Sequence, residues 1–186
     1  MTVSPCKLPQ EERNDACGPA EAGAQLDVGQ LFREFSPYVA SVALRLLGRD
    51  VEIDDIVQEV FVRAIRGLGE LRQNGAVKPW LATVTVRVAR GRLRVRRLRT
   101  WVGLDDVSDY EALVAPGASQ EDRALLSRVY VALDRLPVEQ RVAWVLRHIQ
   151  GDDLDSVASA CGCSLATAKR RIAAAHTRIE SMVGDG

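Results

Sequence analysis

From Leu31 onward, apolar residues recur every three or four positions, the spacing that puts them on one face of a helix. Leu31, Phe35, Tyr38, Val39, Val42, Leu46 and Leu47 form a first stripe that Gly48 ends, and Ser36-Pro37 inside it marks either a kink or a fresh helix start. A second helix is expected from about residue 52 to 68. Its stripe is Ile53, Ile56, Val57, Val60, Phe61, Ala64, Ile65 and Leu68, and its outer face is Asp54, Asp55, Gln58, Glu59 and Val62. The Gly- and Asn-bearing segment GELRQNGAVK reads as a loop, and a third helix starts near Pro79-Trp80. In the C-terminal part, Leu136-Pro137 stops one helix and starts the next, because Pro suits a first helical turn and disfavours helix in the residue before it. Val138, Val142, Val145, Leu146 and Ile149 then run to Gly151, a natural left-handed stop. Asp152 and Asp153 are placed to cap a short helix carrying Leu154, Val157, Ala158 and Cys161. Gly162 opens a tight turn that Ser164 closes as the next N-cap, and a last helix starts at Leu165. These punctuation marks predict a helix-turn-helix. Thr167, Lys169, Arg170 and Arg171 fall near the exposed N-terminal turns of its second helix, with Ala168 and Ile172 turned inward.

The pattern as a whole predicts an all-α chain of two small helical domains joined by a flexible linker. Residues 1–24 mix Pro, Gly, Glu and Ala without a period and read as a disordered extension; residues 26–98 form the first domain, 99–120 the linker and 121–183 the second domain.

Charge changes this picture, because a formal net charge of +0 hides strong segregation. Residues 78–104 hold Lys78 and seven arginines without a carboxylate, whereas residues 105–122 hold Asp105, Asp106, Asp109, Glu111, Glu121 and Asp122 without a basic group. A block of the first kind binds polyanions, since each phosphate it neutralises releases counterions. Arg87, Arg90, Arg94 and Arg97 recur on one side of the third helix, and Arg92, Arg96 and Arg99 point elsewhere. The grouped carboxylates of residues 54–59 beside Val62 suit either solvation or docking on a basic protein surface. Four cysteines (Cys6, Cys17, Cys161, Cys163) read as reduced thiols. Cys161-Gly162-Cys163 leaves two readings open, small apolar packing or metal and redox sensing. Two histidines, His148 and His176, lie on helices with no nucleophile or paired carboxylate at a readable spacing, so no enzyme, cofactor or metal is expected. His176 is placed to touch a phosphate. The N-terminus lacks a signal peptide's apolar core and no run is long enough for a membrane span, so a cytoplasmic protein without membrane insertion is expected.

IDDIVQEVFVRAI, followed by KPWLATV with its arginines and then by LDRLPVEQRVAWVLRHIQG and SLATAKRRI, resembles the sigma-70 family of bacterial transcription initiation factors, in its extracytoplasmic-function group. The resemblance spans about residues 26–183. It implies that Asp54, Asp55, Gln58, Glu59 and Val62 bind core RNA polymerase. It implies that the loop from Glu70 to Val77 and the helix from Trp80 capture and melt the minus-ten promoter element, through Asn74, Lys78, Trp80, Thr83, Arg87, Arg90 and Arg94. It further implies that Ser164, Thr167, Lys169, Arg170, Arg171 and His176 meet the minus-thirty-five element, and that an anti-sigma factor is a further partner.

The chain also departs from that family. Where an Ala-Arg-Asn sequence and a later Asp are usual, it has Thr85, Val86, Arg87 and Gly91, which alters the surface that selects minus-ten bases. Arg170 stands where Ser is usual and adds charge to the recognition helix, raising affinity for phosphate more than base specificity. The rival reading is an autonomous helix-turn-helix repressor or activator that binds a palindrome as a dimer. The arginine block and acidic helix face argue against it, because an effector domain needs neither.

Overall fold

The computed structural model describes residues 28–74, 77–102, 110 and 113–184, without the side chains of 68–74. The extension at 1–24 with Cys6 and Cys17, the linker acids Asp105, Asp106, Asp109 and Glu111, and the side chain of Asn74 lie outside the described residues.

Seven helices make up the regular structure of those residues. The first half consists of α1 (Val28–Leu47), α2 (Ile53–Asn74) and α3 (Val77–Trp101). The second consists of α4 (Gln120–Arg135), α5 (Val138–His148), α6 (Leu154–Cys161) and α7 (Leu165–Gly184). The expected stripes of α1 and α2 form the first core with α3: Val39, Val42 and Leu46 of α1 meet Ile56 and Val60 of α2 and Leu81 and Val86 of α3, all buried, whereas Ile65, expected in the α2 stripe, is exposed, and the Leu68 side chain lies outside the described residues. In the second half Tyr130, Leu133, Val142, Val145, Leu146, Val157, Ala168 and Ala175 do the same. Each large side chain among them contributes roughly 1.5–3 kcal/mol on leaving water.

Three boundaries differ from expectation. Proline at 37 does not open a fresh helix, since α1 is one helix across it; Pro37 is exposed, so the carbonyl deprived of a partner can be hydrated. Helix α2 continues to Asn74, so much of the segment expected as a loop is helical. Glu70, Leu71, Arg72 and Gln73 are good helix formers, and their summed propensity outweighs one glycine. Helix α3 runs on to Trp101, past the expected end of the first domain.

The two halves also pack on one another. Helix α3 lies against α5 and α6, α1 touches α5, and one buried cluster runs through both halves. Gly48 makes the closest approach possible: its φ is +80°, and a Cβ there would stand 2.7 Å from Cδ1 of Tyr130. The Tyr130 hydroxyl donates to the Arg45 carbonyl at 2.8 Å. Arg141 then enters the seam with almost no exposure. Its Nε donates to the Leu46 carbonyl at 2.9 Å and its Nη2 to that of Leu47 at 2.8 Å, so it satisfies the C-terminal carbonyls that α1 cannot. Asp134 accepts from Arg141, from Tyr110 and, at 3.1 Å, from Arg96, which in turn reaches the Leu47 carbonyl at 3.1 Å.

Candidate nucleic-acid interface and partner surfaces

The acidic face of α2 is presented as its period requires. Ile53, Ile56, Val57 and Val60 are buried, which leaves Asp54, Asp55 and Gln58 exposed, with Val62 half-exposed one turn further. Glu59 differs from its neighbours. It accepts from Arg63 at 2.6 Å and from Arg92 at 3.0 Å, and so ties the face to α3. Between α2 and α3 lies a concavity of about 430 Å³ edged by Arg49, Arg63, Arg87, Arg92, Arg96 and Arg99 against only Glu52 and Glu59. Arg87 is therefore on a strongly cationic surface.

The other residues assigned to minus-ten DNA are less free than the sequence suggests. Lys78 holds its Nζ 4.8 Å from the Tyr38 ring centre. Trp80 is half-buried over Gly67, where a Cβ would stand 2.8 Å from the indole, so helix packing accounts for both residues. The Thr83 hydroxyl donates to the Pro79 carbonyl at 3.1 Å. Arg90 and Arg94 both turn to Glu139 on α5, at 3.2 and 2.6 Å, and Arg90 also donates to the Cys161 carbonyl at 2.9 Å. Arg97 reaches the Leu136 carbonyl at 3.2 Å. The arginine block is thus largely spent on the second half of the chain. Glu139 and Asp134 were the functional carboxylates that sequence reading missed, because they stand 45 and 38 residues from Arg94 and Arg96 of α3.

Helices α6 and α7 form the helix-turn-helix with the expected punctuation. Gly151 has φ +84° and Gly162 has φ +61°. Asp153, not Asp152, is the N-cap of α6, accepting from the Ser156 amide at 2.7 Å, and that bond holds its carboxyl below the usual range. Asp152 is half-buried, and burial pushes its carboxyl the other way. Ser164 accepts from the Thr167 amide at 3.3 Å and shares a 2.9 Å contact with the Thr167 hydroxyl, so both residues order the first turn of α7. Lys169 and Arg170 are exposed on that helix, with Ala168 and Ile172 buried beneath. Arg171 turns toward the seam and lies 3.8 Å from Glu139.

His176 sits further along α7. Its ring stacks on that of His148 at 5.4 Å with 10° between planes, Trp144 covers His148 at 4.9 Å, and Glu180 lies 3.2 Å from its Nε2. Cys161 is buried, and burial pushes its thiol up to about 11, which disfavours the thiolate that metal binding or oxidation requires. No group of three His, Cys, Asp or Glu suited to a metal occurs among the described residues, and no helix there is long and apolar enough to cross a membrane.

An all-helical protein with a capped helix-turn-helix, a cationic helix and a separate acidic face belongs to the DNA-reading transcription factors. Comparison with known proteins makes the class specific. The family model for sigma-70 region 2 matches residues 31–99. The extracytoplasmic-function (ECF) RNA polymerase sigma factor SigM of Mycobacterium tuberculosis (strain ATCC 25618 / H37Rv) is 34% identical over 178 residues, covering 94% of this chain and 87% of that one. The ECF RNA polymerase sigma-E factor of Escherichia coli (strain K12) is 27% identical over 172 residues, covering 88% and 90%. Among solved structures, RpoE in complex with the anti-sigma factor NepR from Bartonella quintana matches with a TM-score of 0.60 at 24% identity, over 84% of this chain and 96% of that one. This chain belongs to the ECF RNA polymerase sigma factor family and is a transcription initiation factor. The autonomous repressor reading is not favoured.

Proposed function

We propose that residues 26–98 bind core RNA polymerase and the minus-ten element, and that residues 121–183 read the minus-thirty-five element, with 99–120 as the connection. The observation that carries this reading is the pairing of two differently charged surfaces on one chain: the open Asp54, Asp55, Gln58 and Val62 face of α2, and the capped N-terminal turns of α7 with Lys169 and Arg170 exposed. The first offers carboxylates around an apolar centre, the composition of a protein-docking surface. The second offers cations and a positive helix end to phosphate and base edges. Asn74, Trp80, Thr83 and Arg87, with Arg90 and Arg94 once released from Glu139, complete the minus-ten surface, and Ser164, Thr167, Arg171 and His176 the upstream one. The chain acts by binding and placement in the cytoplasm, without a catalytic group or cofactor of its own. An anti-sigma factor is a further expected partner, by analogy with the RpoE–NepR complex.

The decisive experiment is transcription in vitro with purified core polymerase and a promoter library. A defined pair of upstream and downstream boxes should emerge, and Asp55→Arg should abolish co-purification with core while leaving the helical content intact. No enrichment of any promoter over core polymerase alone would overturn the reading. Asp55 is the better probe than Glu59, whose ion pairs with Arg63 and Arg92 make its replacement structural as well.

A further inference from the structure

We propose that Glu139 is an internal substitute for promoter phosphate: in the closed chain one carboxylate holds arginines from both helices assigned to DNA, so closure and DNA binding compete for the same guanidinium groups. This rests on the promoter-facing reading of α3 and α7 and adds to it a control of those surfaces by the chain itself. Three guanidinium groups converge on this side chain, those of Arg94 at 2.6 Å, Arg90 at 3.2 Å and Arg171 at 3.8 Å. The first two come from α3 and the third from α7, two helices that share no stretch of sequence.

The chemistry of the contact is that of the proposed ligand. A guanidinium fork recognises carboxylate and phosphate by the same paired N–H donors, so an arginine held by Glu139 is not available to a phosphate. Glu139 lies in the first turn of α5, where the helix end favours a negative charge, and this fixes the carboxylate in place. Yet the clasp is incomplete. Three cations face one anion, and the buried Nε of Arg90 has no hydrogen-bond partner among the described residues. Arg94 is 63% exposed, so an incoming polyanion can reach the lip of the contact from solvent. A strand of DNA supplies a phosphate for each guanidinium, which Glu139 cannot.

The competition has a signature that simple charge removal lacks. Full-length protein, free of polymerase, is titrated with a fluorescent promoter duplex by anisotropy, in wild type, Glu139→Gln, Arg90→Ala/Arg94→Ala and the combined triple variant. Glu139→Gln should bind about three- to tenfold more tightly, because released guanidinium groups add phosphate contacts. Removing Arg90 and Arg94 should cost little in the presence of Glu139 and should erase most of the gain in its absence, the remainder belonging to the more distant Arg171. Asp155→Asn, which removes an exposed carboxylate of α6, serves as the charge control. Equal gains from Asp155→Asn and Glu139→Gln, a gain undiminished in the triple variant, or no gain at all would each overturn the proposal. Circular dichroism verifies folding, and Glu139→Asp, whose shorter side chain keeps the charge but withdraws from Arg94, takes the place of Glu139→Gln if that variant unfolds. Transcription by wild-type protein with core polymerase reports on the underlying function separately, so either idea can fail without the other.

Discussion

Helices α3 and α7 are both rich in basic residues, and the chain uses the two in opposite ways. On α3 the guanidinium groups of Arg90, Arg92, Arg94, Arg96 and Arg97 all find partners within the protein, and Arg96 is buried. On α7 Lys169 and Arg170 stand in solvent above a core of Ala168 and Ile172. The helix with more charge is therefore the more structural one. A run of arginines is a strong sign of polyanion binding only when its partners in the fold are known, because carboxylates distant in sequence can claim the same groups first.

The sharpest way to test that contrast is to remove the buried members of the seam. Arg141→Ala should destabilise the protein by about 3–5 kcal/mol in urea unfolding, since it strips a buried charge from Asp134, leaves the Leu46 carbonyl without its side-chain donor and leaves that of Leu47 with Arg96 alone. Arg96→Ala should cost about 2–3 kcal/mol by the same measurement, less than Arg141→Ala because Arg141 still serves Asp134 and both the Leu46 and Leu47 carbonyls. Gly48→Ala should cost about 2 kcal/mol, through the positive φ and the clash with Tyr130, without touching DNA affinity per folded molecule. Lys169→Ala and Arg170→Ala should stay within about 0.5 kcal/mol of wild type in stability and yet weaken promoter binding, with a shallower salt slope. Equal stability losses for the α3 and α7 variants would erase the distinction.

The smallest expected effect concerns pH. Burial, then His176 and Arg147, lower the pKa of His148, which stacks between Trp144 and His176, with Glu180 beyond. A histidine whose folded value is depressed contributes its full stability above the ordinary imidazole range and loses it as pH falls through that range. The melting temperature should thus drop modestly between pH 7.5 and 5.5, and His148→Gln should flatten that drop.

Much of this architecture was legible in the sequence because its signals are local. The α2 stripe from Ile53 to Ala64, the Leu136-Pro137 break, Gly151, Gly162 and the caps at Asp153 and Ser164 each act within a few residues, and each stands where it was expected. The end of α2 was misjudged because a single glycine looked stronger than the helix formers after it. The fates of Arg90, Arg94, Arg96 and Arg171 were not legible, since they are decided by Asp134 and Glu139, which the chain brings near only by folding its halves together. His176 likewise finds its neighbour His148 on another helix.

The way Arg141 finishes α1 has a consequence for how this protein can change over generations. Its acceptors are main-chain oxygens of Leu46 and Leu47, which remain in place whatever side chains those positions carry. Drift along α1 therefore cannot tune the grip between the halves through these bonds. The adjustable half of the contact lies at Arg141, Arg96 and Asp134, so relatives that need a looser or tighter hold must alter those three positions and can leave the first helix free to vary for other ends.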